Sequence, residues 1–422
     1  MKISKLPIRL HASAKAVIAL FLNLPGESRA SNLVQRVKSL TENEVRNCLE
    51  KLTSDFAGRH RNIRQIFLDH LARIEGDPDF NLSLFTEERK LLLGAFFTKE
   101  YSIQAAALFN PSIVPHPDQE GLKSGELRFV MSLRATGEGH ISSIVFQTGI
   151  FDKQGKIILD PPSKYFTRLL RKPDAVQVDG REMDYELEDS SKLPLNEKVI
   201  FPSAKSESMG MEDLRLVKFE DLGEACYYGT YTAYDGRQIQ TKLIETRDFN
   251  QFSIRTLHGP AIQDKGMALF PEKLDGKYAM ISRQGGEKIQ IMFSNDLYYW
   301  EDFQLLMEPK FDWELLQLGN CGSPIKTEKG WLLLTHGVGV LRTYVISAIL
   351  LDLDNPAKII GRLNKPLIMA NESEREGYVP NVVYTCGFML HAGLLLIPYA
   401  MSDSATGFVT IVLEDLLKEF KL

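Results

Sequence analysis

The stretch KYAMISRQGGEKIQIMFSNDLYYW, residues 277–300, decides the fold because its pattern recurs along the chain. It reads as a short apolar strand, a polar tip at Arg283, a second apolar strand and an acidic turn. Related stretches begin at residues 127, 225, 331 and 394, which gives five copies. Each copy is too small to bury both of its faces alone, so the copies must pack against one another.

Strand pairs that stack radially around one axis form a β-propeller, which places equivalent strand ends around a shared centre. We therefore predict a mainly β fold with a five-bladed propeller over residues 109–422. A β-sandwich would also hold many short strands, but it gives no reason for a polar tip in each copy. The tips, which should converge on a central pocket, are Arg134, Tyr231, Arg283, His336 and the segment 399–403.

Residues 30–108 follow a different pattern, with apolar residues spaced as in amphipathic helices. Thr41 and Glu44 have the spacing of a capping box at the start of one helix. We predict an N-terminal helical extension over residues 1–108, with helical sequence continuing to about its end. Such helices could provide the contact of a homo-oligomer.

Composition excludes several classes of protein. Lys and Arg together number 50 against 55 Asp and Glu, a net charge of −5, so no general basic field would attract nucleic acid. The four cysteines are scattered without metal-ligand spacing, so we expect reduced thiols and no metal site. The sequence contains no P-loop and no GxGxxG motif, and we expect no cofactor. No apolar run reaches the roughly 18 residues of a membrane span. The apolar run near residue 20 is also short for a secretory signal, and we predict a cytoplasmic protein.

The segment MEDLRL, residues 211–216, contains adjacent carboxylates at Glu212 and Asp213, followed by Arg215. An acidic pair is most often a solvated turn. Here Arg215 could hold one carboxylate in a fixed orientation, and the pKa values of the two carboxyls could then differ. Such a pair could divide into an orienting group and an acid.

A second group of candidates is basic: Lys265, Arg283, Lys326 and His336. Taken singly, each is most often a surface charge or a structural hydrogen-bonding group. Arg283 and His336, however, lie at the ends of apolar strands, where they would be expected to face a pocket. Several cations that converge beside a carboxylic acid form a site for an anion, above all phosphate.

A third group is polar and lies in or next to strand sequence: Asn110, Arg134, Glu138 and His140. Sugar recognition uses such a mixture of donors and acceptors, although turn chemistry and core hydrogen bonds explain the residues equally well. His140 has no partner at metal-ligand spacing, which argues against a metal site.

Several motifs resemble those of glycoside hydrolase family 130, the mannoside phosphorylases and related β-mannosidases. They span roughly residues 105–415 and are MEDLRL (211–216), KGMALFPEKLDGKYAMISR (265–283), FSNDLYYWED (293–302), LGNCGSPIKTEKGWLLLTHGV (318–338), AILLDLDNPAKIIGR (348–362) and EREGYVPNVVYTCG (374–387). The resemblance implies a five-bladed β-propeller and an inverting attack at the anomeric carbon of a β-mannoside.

The resemblance also implies roles for individual residues. Asp213 matches the catalytic acid, which acts through a hydroxyl of the bound mannose, while Glu212 and Arg215 hold the acid and the sugar. Inorganic phosphate, the co-substrate, would be held at Lys265, Arg283, Lys326 and His336. Asn110, Arg134 and Asp403 are the remaining candidates for binding the β-mannoside.

Physical chemistry separates two activities within this family. An inverting hydrolase needs a carboxylate to deprotonate water opposite the acid, whereas a phosphorylase needs positive charge there. Because this chain keeps basic residues at these positions, we predict phosphorolysis of a β-mannoside to α-mannose 1-phosphate. An inverting β-mannosidase and a propeller that only binds glycans are the alternatives.

Overall fold

A computed structural model describes residues 1–26, 28–75, 80, 82–172, 184–189 and 192–420. The described chain is mainly β and divides into two compact units. One unit comprises residues 14–103 and 163–167, and the other comprises residues 1–13, 104–162 and 168–422. We call them the helical unit and the sheet unit.

The helical unit contains four helices and a two-stranded sheet among its described residues. Their bounds are β3 Val17–Phe21, α1 Arg29–Ser39, α2 Glu42–Phe56, α3 Ile63–Ala72, α4 Glu87–Phe96 and β4 Thr98–Ser102. The predicted capping box at the start of α2 is confirmed, because Glu44 N donates to Thr41 Oγ1 and Thr41 N donates to Glu44 Oε2. Helix α4 crosses α3 closely at Gly94, where an added Cβ would lie 2.0 Å from the Phe67 carbonyl oxygen.

The prediction of helix up to residue 108 is wrong beyond Phe96. Residues 98–102 form β4, which pairs with the apolar strand β3. This pairing joins segments about 80 residues apart, and a local periodicity cannot reveal such a partner.

The sheet unit is built from sheets of twelve, four, five and six strands. The twelve strands are β5 Ala107–Pro115, β6 Glu126–Thr136, β7 Ser142–Asp152, β8 Ile157–Leu159, β9 Thr167–Arg168, β10 Leu170–Arg171, β11 Tyr185–Glu188, β12 Lys198–Ile200, β13 Gly210–Asp221, β14 Glu224–Tyr234, β15 Ile239–Thr246 and β16 Gln251–Thr256. The four are β17 Ala268–Leu269, β18 Tyr278–Ser282, β19 Ile289–Ser294 and β20 Gln304–Met307. The five are β21 Gln317–Asn320, β22 Ile325–Thr327, β23 Gly330–Val338, β24 Tyr344–Leu351 and β25 Ile359–Arg362. The six are β1 Ile3–Lys5, β2 Leu10–His11, β26 Val383–Tyr384, β27 Met389–His391, β28 Leu394–Met401 and β29 Ala405–Val412, and helix α5 spans Leu413–Glu419.

The five sequence copies are five pairs of consecutive antiparallel strands, as their pattern predicts. The pairs are β6–β7, β14–β15, β18–β19, β23–β24 and β28–β29. The first two copies share the twelve-stranded sheet, whose two antiparallel groups meet where Gly210 of β13 pairs in parallel with Ser142 of β7. A Cβ at Gly210 would lie 2.8 Å from the Ser142 nitrogen, so this junction requires glycine.

Each copy packs its apolar side chains against those of the next. The clusters join Val130 to Ile244, Leu243 to Met280, Ile281 to Leu333, and Leu334 to Ile397. A fifth cluster joins Phe109, beside the first copy, to Ala400 of the last copy. The apolar contacts between copies therefore return from the last copy to the first.

The predicted boundary at residue 108 needs correction. Strands β1 and β2 both pair with β29, the last strand of the chain. Residues 1–13 thus belong to the sheet unit, and the helical unit is an insertion between β2 and β5. The beginning of the chain completes the sheet formed by its end.

Candidate active site

Asp213 lies at a bulge in β13, where the register with β14 shifts between Glu212 and Arg215. Its backbone is left-handed, with φ of 55°. A bulge with such a residue re-aims the side chain at the expense of regular pairing. Asn110 (φ 47°) lies at a similar bulge in β5, and Asp403 (φ 49°) lies in the turn after β28. Three predicted site residues are therefore held in uncommon backbone conformations.

One guanidinium binds both members of the acidic pair. Arg134 lies 3.2 Å from Asp213 Oδ1 and 2.8 Å from Glu212 Oε1. Asn110 Nδ2 donates a further hydrogen bond of 2.7 Å to Asp213 Oδ1. The Arg134 side chain is itself fixed, because its Nε donates to Ser142 Oγ at 2.8 Å. The acidic pair is thus a fixed part of a cavity wall and not a solvated turn.

Arg215 acts differently from the expectation that it holds a carboxylate. Its buried guanidinium donates to the main-chain oxygen of Asp213 at 3.1 Å and to the Tyr384 hydroxyl. The bulge after Glu212 brings the carbonyl, and not the carboxylate, within reach. Arg215 therefore stabilises the bulge, and Arg134 takes the role of orienting the carboxylates.

Arg283 and His336 form the second wall of the cavity. Arg283 follows β18, His336 lies on β23, and the distance from Arg283 Nη1 to His336 Nε2 is 3.3 Å. His336 faces Gly319 of β21, where a Cβ would lie only 2.2 Å from the imidazole ring. Among the described residues, no carboxylate oxygen lies within 4 Å of the Arg283 guanidinium. This cation is therefore buried without a negatively charged partner in the part of the chain that the structure describes.

These walls enclose a cavity of about 230 Å³. Of the ten residues to which the family resemblance gives a role, those that line it are Asn110, Arg134, Asp213, Lys265, Arg283, His336 and Asp403. Glu212 is linked to the same group, because the Lys265 Nζ lies 3.8 Å from Glu212 Oε2. A larger surface depression beside Lys198 contains none of the predicted residues.

Lys326 does not join this group, and its prediction as a phosphate ligand is corrected. Its Nζ lies 2.5 Å from Glu272 Oε1 and 5.3 Å from the centre of the Trp331 ring, and the side chain is more than half exposed. In β22 it pairs with Trp331, five positions before His336 on β23. That spacing places it about 16 Å along the strand from His336.

Tyr231, one predicted tip, and Tyr399, at the start of the tip segment 399–403, lie elsewhere, whereas Asp403 at the end of that segment lines the cavity. The Tyr231 hydroxyl donates to Glu207 at 2.8 Å, and the Tyr399 hydroxyl donates to Glu374 at 2.6 Å. Both tyrosines are fully buried in apolar clusters. Their rings pack in the core while each hydroxyl donates to a glutamate, which is the usual arrangement of a buried tyrosine.

The cavity is also lined by residues that the sequence analysis did not single out: Gln317, Arg342, Tyr344, Val382 and Tyr384. Tyr344 stacks on His336 with ring centres 5.8 Å apart, and Tyr384 meets the same imidazole edge-on at 4.9 Å. Tyr384 could have been identified from the sequence, since it lies in the family-like motif EREGYVPNVVYTCG, residues 374–387. Arg342 follows the tip of the fourth copy and occupies the position of His140 in the first copy. This equivalence could have identified Arg342 as a candidate site residue.

The two cavity carboxyls ionise differently. Burial alone would raise the pKa of Asp213, but the charges of Arg134, Arg215 and Lys265 outweigh it and lower the pKa to about 2. Burial raises the pKa of Asp403 to about 6, and the negative charge of Asp213 adds to this shift. Asp213 is therefore ionised at neutral pH, while Asp403 takes up a proton in mildly acidic solution.

His336 is not a cation in the free protein. Burial holds the pKa of His336 well below its ordinary value, and the positive charges of Arg283 and Arg215 lower it further. Its imidazole is neutral at pH 7, so the fixed positive charge of this wall comes from Arg283 and Lys265. No group of three or more metal-ligating side chains occurs among the residues that the structure describes.

The fold and cavity together define a β-rich protein with an oriented carboxylate and, in the described chain, a buried arginine, Arg283, that has no carboxylate partner. Residues 180–422 match the model of glycoside hydrolase family 130, described as beta-1,4-mannooligosaccharide phosphorylase. Because this match covers more than half of the chain, the protein belongs to that family.

Individual relatives agree with this assignment. The chain is 31% identical over 262 residues to the 1,2-beta-oligomannan phosphorylase of Thermoanaerobacter sp. (strain X514), covering 61% of this chain and 84% of the relative. It is 27% identical over 243 residues to the beta-1,2-mannobiose phosphorylase of Listeria innocua, covering 56% and 67%. The solved structure of a beta-1,2-mannobiose phosphorylase from Listeria innocua with beta-1,2-mannobiose matches with a TM-score of 0.52 and 21% identity, over 75% of this chain and 92% of that one. At that identity the structural match supports the fold alone.

Proposed function

We propose that the protein is an inverting phosphorylase that cleaves a β-mannoside with inorganic phosphate and releases α-mannose 1-phosphate. The observation that carries this proposal is that Asp213 lines the same 230 Å³ cavity as Arg283 and His336. A proton donor for the leaving group and a site for an anionic nucleophile are the two requirements of this reaction.

The nucleophile would bind at the wall formed by Arg283, His336 and Lys265. Arg283 is buried and has no carboxylate partner in the described chain, and an unpaired buried cation is costly unless an anion binds to it. An arginine can bind two phosphate oxygens at once. Because phosphate is already an anion, this wall needs no carboxylate base.

Asp213 would supply the proton to the leaving oxygen through a hydroxyl of the bound mannose. A phosphate oxygen forms a bond to C1 while the bond from C1 to the glycosidic oxygen breaks, and the proton passes to that oxygen. With a pKa of about 2, Asp213 is ionised at neutral pH and has no proton to donate in the free protein. Bound phosphate would offset the positive charge around the cavity and raise the pKa of Asp213 toward the range useful for an acid.

The names of the relatives support the reaction class, since those compared are mannoside phosphorylases. They do not select a linkage for this chain. The family description refers to β-1,4-linked mannosides, and the two relatives are named for β-1,2-linked ones. We therefore propose a β-mannoside as substrate, without a choice between these linkages.

We further propose that the sheet unit is a five-bladed propeller. Two observations support this fold. The twelve-stranded sheet divides into two antiparallel groups at Gly210, so that the four sheets supply five blades. The apolar clusters between copies also close from the last copy to the first. The pairing of β1 and β2 with β29 would then close the final blade.

A second candidate activity is hydrolysis by inversion. Asp403 favours it, because a cavity carboxyl with a pKa of about 6 could accept a proton from an attacking water. The positive charge of Arg283 favours phosphate over this alternative.

The test is to incubate the protein with β-1,2- and β-1,4-mannobiose, with and without phosphate, and to separate the products by ion-exchange chromatography. We expect α-mannose 1-phosphate only when phosphate is present. Phosphate-independent release of two free mannoses would overturn the proposal in favour of the hydrolase.

Other properties stay predictions: a cytoplasmic location, phosphate as the only co-substrate, and a homo-oligomer formed through α1–α4. No helix in the described part of the chain is long and apolar enough to span a membrane.

A further inference from the structure

Two turns with the same backbone conformation follow cavity-lining strands in the first and fourth copies. They are Gly137–His140, between β6 and β7, and Gly339–Arg342, between β23 and β24. In each, the glycine nitrogen donates at 3.0 Å to the carbonyl four residues later. In each, the last residue is left-handed, with φ of 61° at His140 and 55° at Arg342. The two turns therefore place one polar side chain each at equivalent positions.

Each of these side chains lies against a tyrosine ring. His140 contacts Tyr378, with ring centres 5.4 Å apart and the hydroxyl 3.4 Å from His140 Nδ1. The Arg342 guanidinium lies 5.5 Å from the centre of the Tyr344 ring. Tyr344 in turn stacks on His336. Arg342 is thus connected through one ring to the wall assigned to phosphate.

The His140–Tyr378 pair is connected to the opposite side of the cavity. Tyr378 N donates to Ser404 Oγ at 3.0 Å, and Val379 N donates to Ser402 O at 3.1 Å, so this segment flanks Asp403 on both sides. The turn that carries His140 follows the strand of Arg134. Tyr378 is 61% exposed, which leaves much of its ring open to solvent.

We propose that the His140–Tyr378 pair binds the leaving sugar of the substrate, a hexopyranose, at the entrance of the cavity. This inference rests on the proposed function and assigns the part of the substrate that departs. A pyranose presents an apolar C–H face that packs on an aromatic ring, and its hydroxyls bond to polar groups beside that ring. The exposed tyrosine supplies the ring, and the imidazole supplies the polar group.

The test compares two mannosyl donors that differ in the leaving group. β-Mannobiose carries a leaving sugar, whereas β-mannosyl fluoride carries none and is converted with phosphate to α-mannose 1-phosphate and fluoride. For H140A and Y378A, we expect kcat/KM for β-mannobiose to fall at least tenfold. We expect the value for β-mannosyl fluoride to change less than twofold. Y378F, which keeps the ring, should retain most of the activity on the disaccharide.

Two controls separate this pair from the rest of the cavity. R342A should raise KM for phosphate with both donors. K326A should leave kcat/KM unchanged for both donors, because Lys326 lies outside the cavity. Equal losses of H140A and Y378A on both donors, or no loss on β-mannobiose, would overturn the inference.

Failure of the proposed function would give a different result. If the wild-type protein releases mannose without phosphate, phosphorolysis is wrong, and the same ratio between the two donors still tests the sugar site. If it acts on neither donor, calorimetric titration with β-mannobiose shows whether the His140–Tyr378 pair binds sugar. Weaker binding by Y378A than by wild type supports the site, and equal binding overturns it.

Discussion

The two walls of the cavity differ in whether their charged side chains have partners of opposite charge. On the wall of β5, β6 and β13, both carboxylates are paired, since Arg134 binds Glu212 and Asp213 together. On the wall of β18 and β23, the described residues place a neutral imidazole, that of His336, and no carboxylate within hydrogen-bond distance of the Arg283 guanidinium. The difference indicates that the first wall is complete without ligand, while the second needs an anion to balance its charge.

The largest expected effect comes from Asp213→Asn, which keeps the shape of the side chain and removes the acid. Turnover of β-mannobiose should fall about 10²- to 10⁴-fold, as expected for loss of a general acid. Phosphate should still bind, because its wall is untouched. Initial rates and phosphate calorimetry measure the two effects. E220Q, at an exposed position of the same strand, should behave as wild type, and a D213N variant within threefold of wild type would contradict the role of Asp213.

A second substitution, Arg283→Met, tests the unpaired wall. We expect KM for phosphate to rise about 10- to 100-fold, because a hydrogen bond to a charged group contributes about 1.5–3 kcal/mol. K326M removes a cation outside the cavity and should leave KM unchanged. Steady-state rates at varied phosphate concentration measure both. An R283M variant with unaltered KM for phosphate would show that the anion binds elsewhere.

A smaller effect is expected from Gly319→Ala, which acts on His336 by contact. The new Cβ would lie 2.2 Å from the imidazole, so the ring must move. Overpacking of this kind costs about 1–3 kcal/mol, and it should lower Tm and weaken phosphate binding together. G58A adds a methyl group in open space and should change neither quantity. Unchanged Tm and phosphate KM in G319A would mean that Gly319 does not position His336.

The last expected effect concerns the pH dependence of stability, and it does not involve turnover. Because the folded protein raises the pKa of Asp403 from 3.8 to about 6, the folded state binds this proton more tightly than the unfolded state. Asp403 therefore removes stability as pH rises from about 4 to 6, by at most about 3 kcal/mol. In D403N, the free energy of unfolding should therefore decrease less than in wild type as pH rises from about 4 to 6. Denaturant unfolding of both proteins across this range is the measurement, and identical slopes would contradict the assignment.

Asp213 changes the stability of the folded state with pH in the opposite direction from Asp403. Its pKa is lowered to about 2, so its contribution is present above about pH 4 and is lost as pH falls toward 2. The two carboxyls thus affect stability in separate ranges of pH. The effect of D403N between about pH 4 and 6 can therefore be measured without a contribution from Asp213.

The strand pairs could be predicted from the sequence because each copy repeats a local pattern, and the tips of that pattern include four cavity residues, Arg134, Arg283, His336 and Asp403. Arg283 and His336 were found as polar residues at the ends of apolar strands. Tyr231 and Tyr399 were misplaced, since a polar residue in a buried strand can instead bond within the core. Lys326 was misplaced because β22 pairs with the distant end of β23, which only the register reveals.

Two other features depend on contacts far apart in the chain. The boundary at residue 108 missed the pairing of β1 and β2 with the last strand. The role of Arg215 depended on a bulge, and no residue pattern specified which oxygen its guanidinium would meet.

A crystal structure of the D213N variant with β-mannobiose and phosphate tests the division of the cavity most directly. We predict a phosphate oxygen within hydrogen-bond distance of Arg283, on the face of C1 opposite the glycosidic oxygen, which itself lies toward residue 213. Phosphate bound on the side of residue 213, or sugar bound against Arg283 with phosphate outside the cavity, would contradict the account.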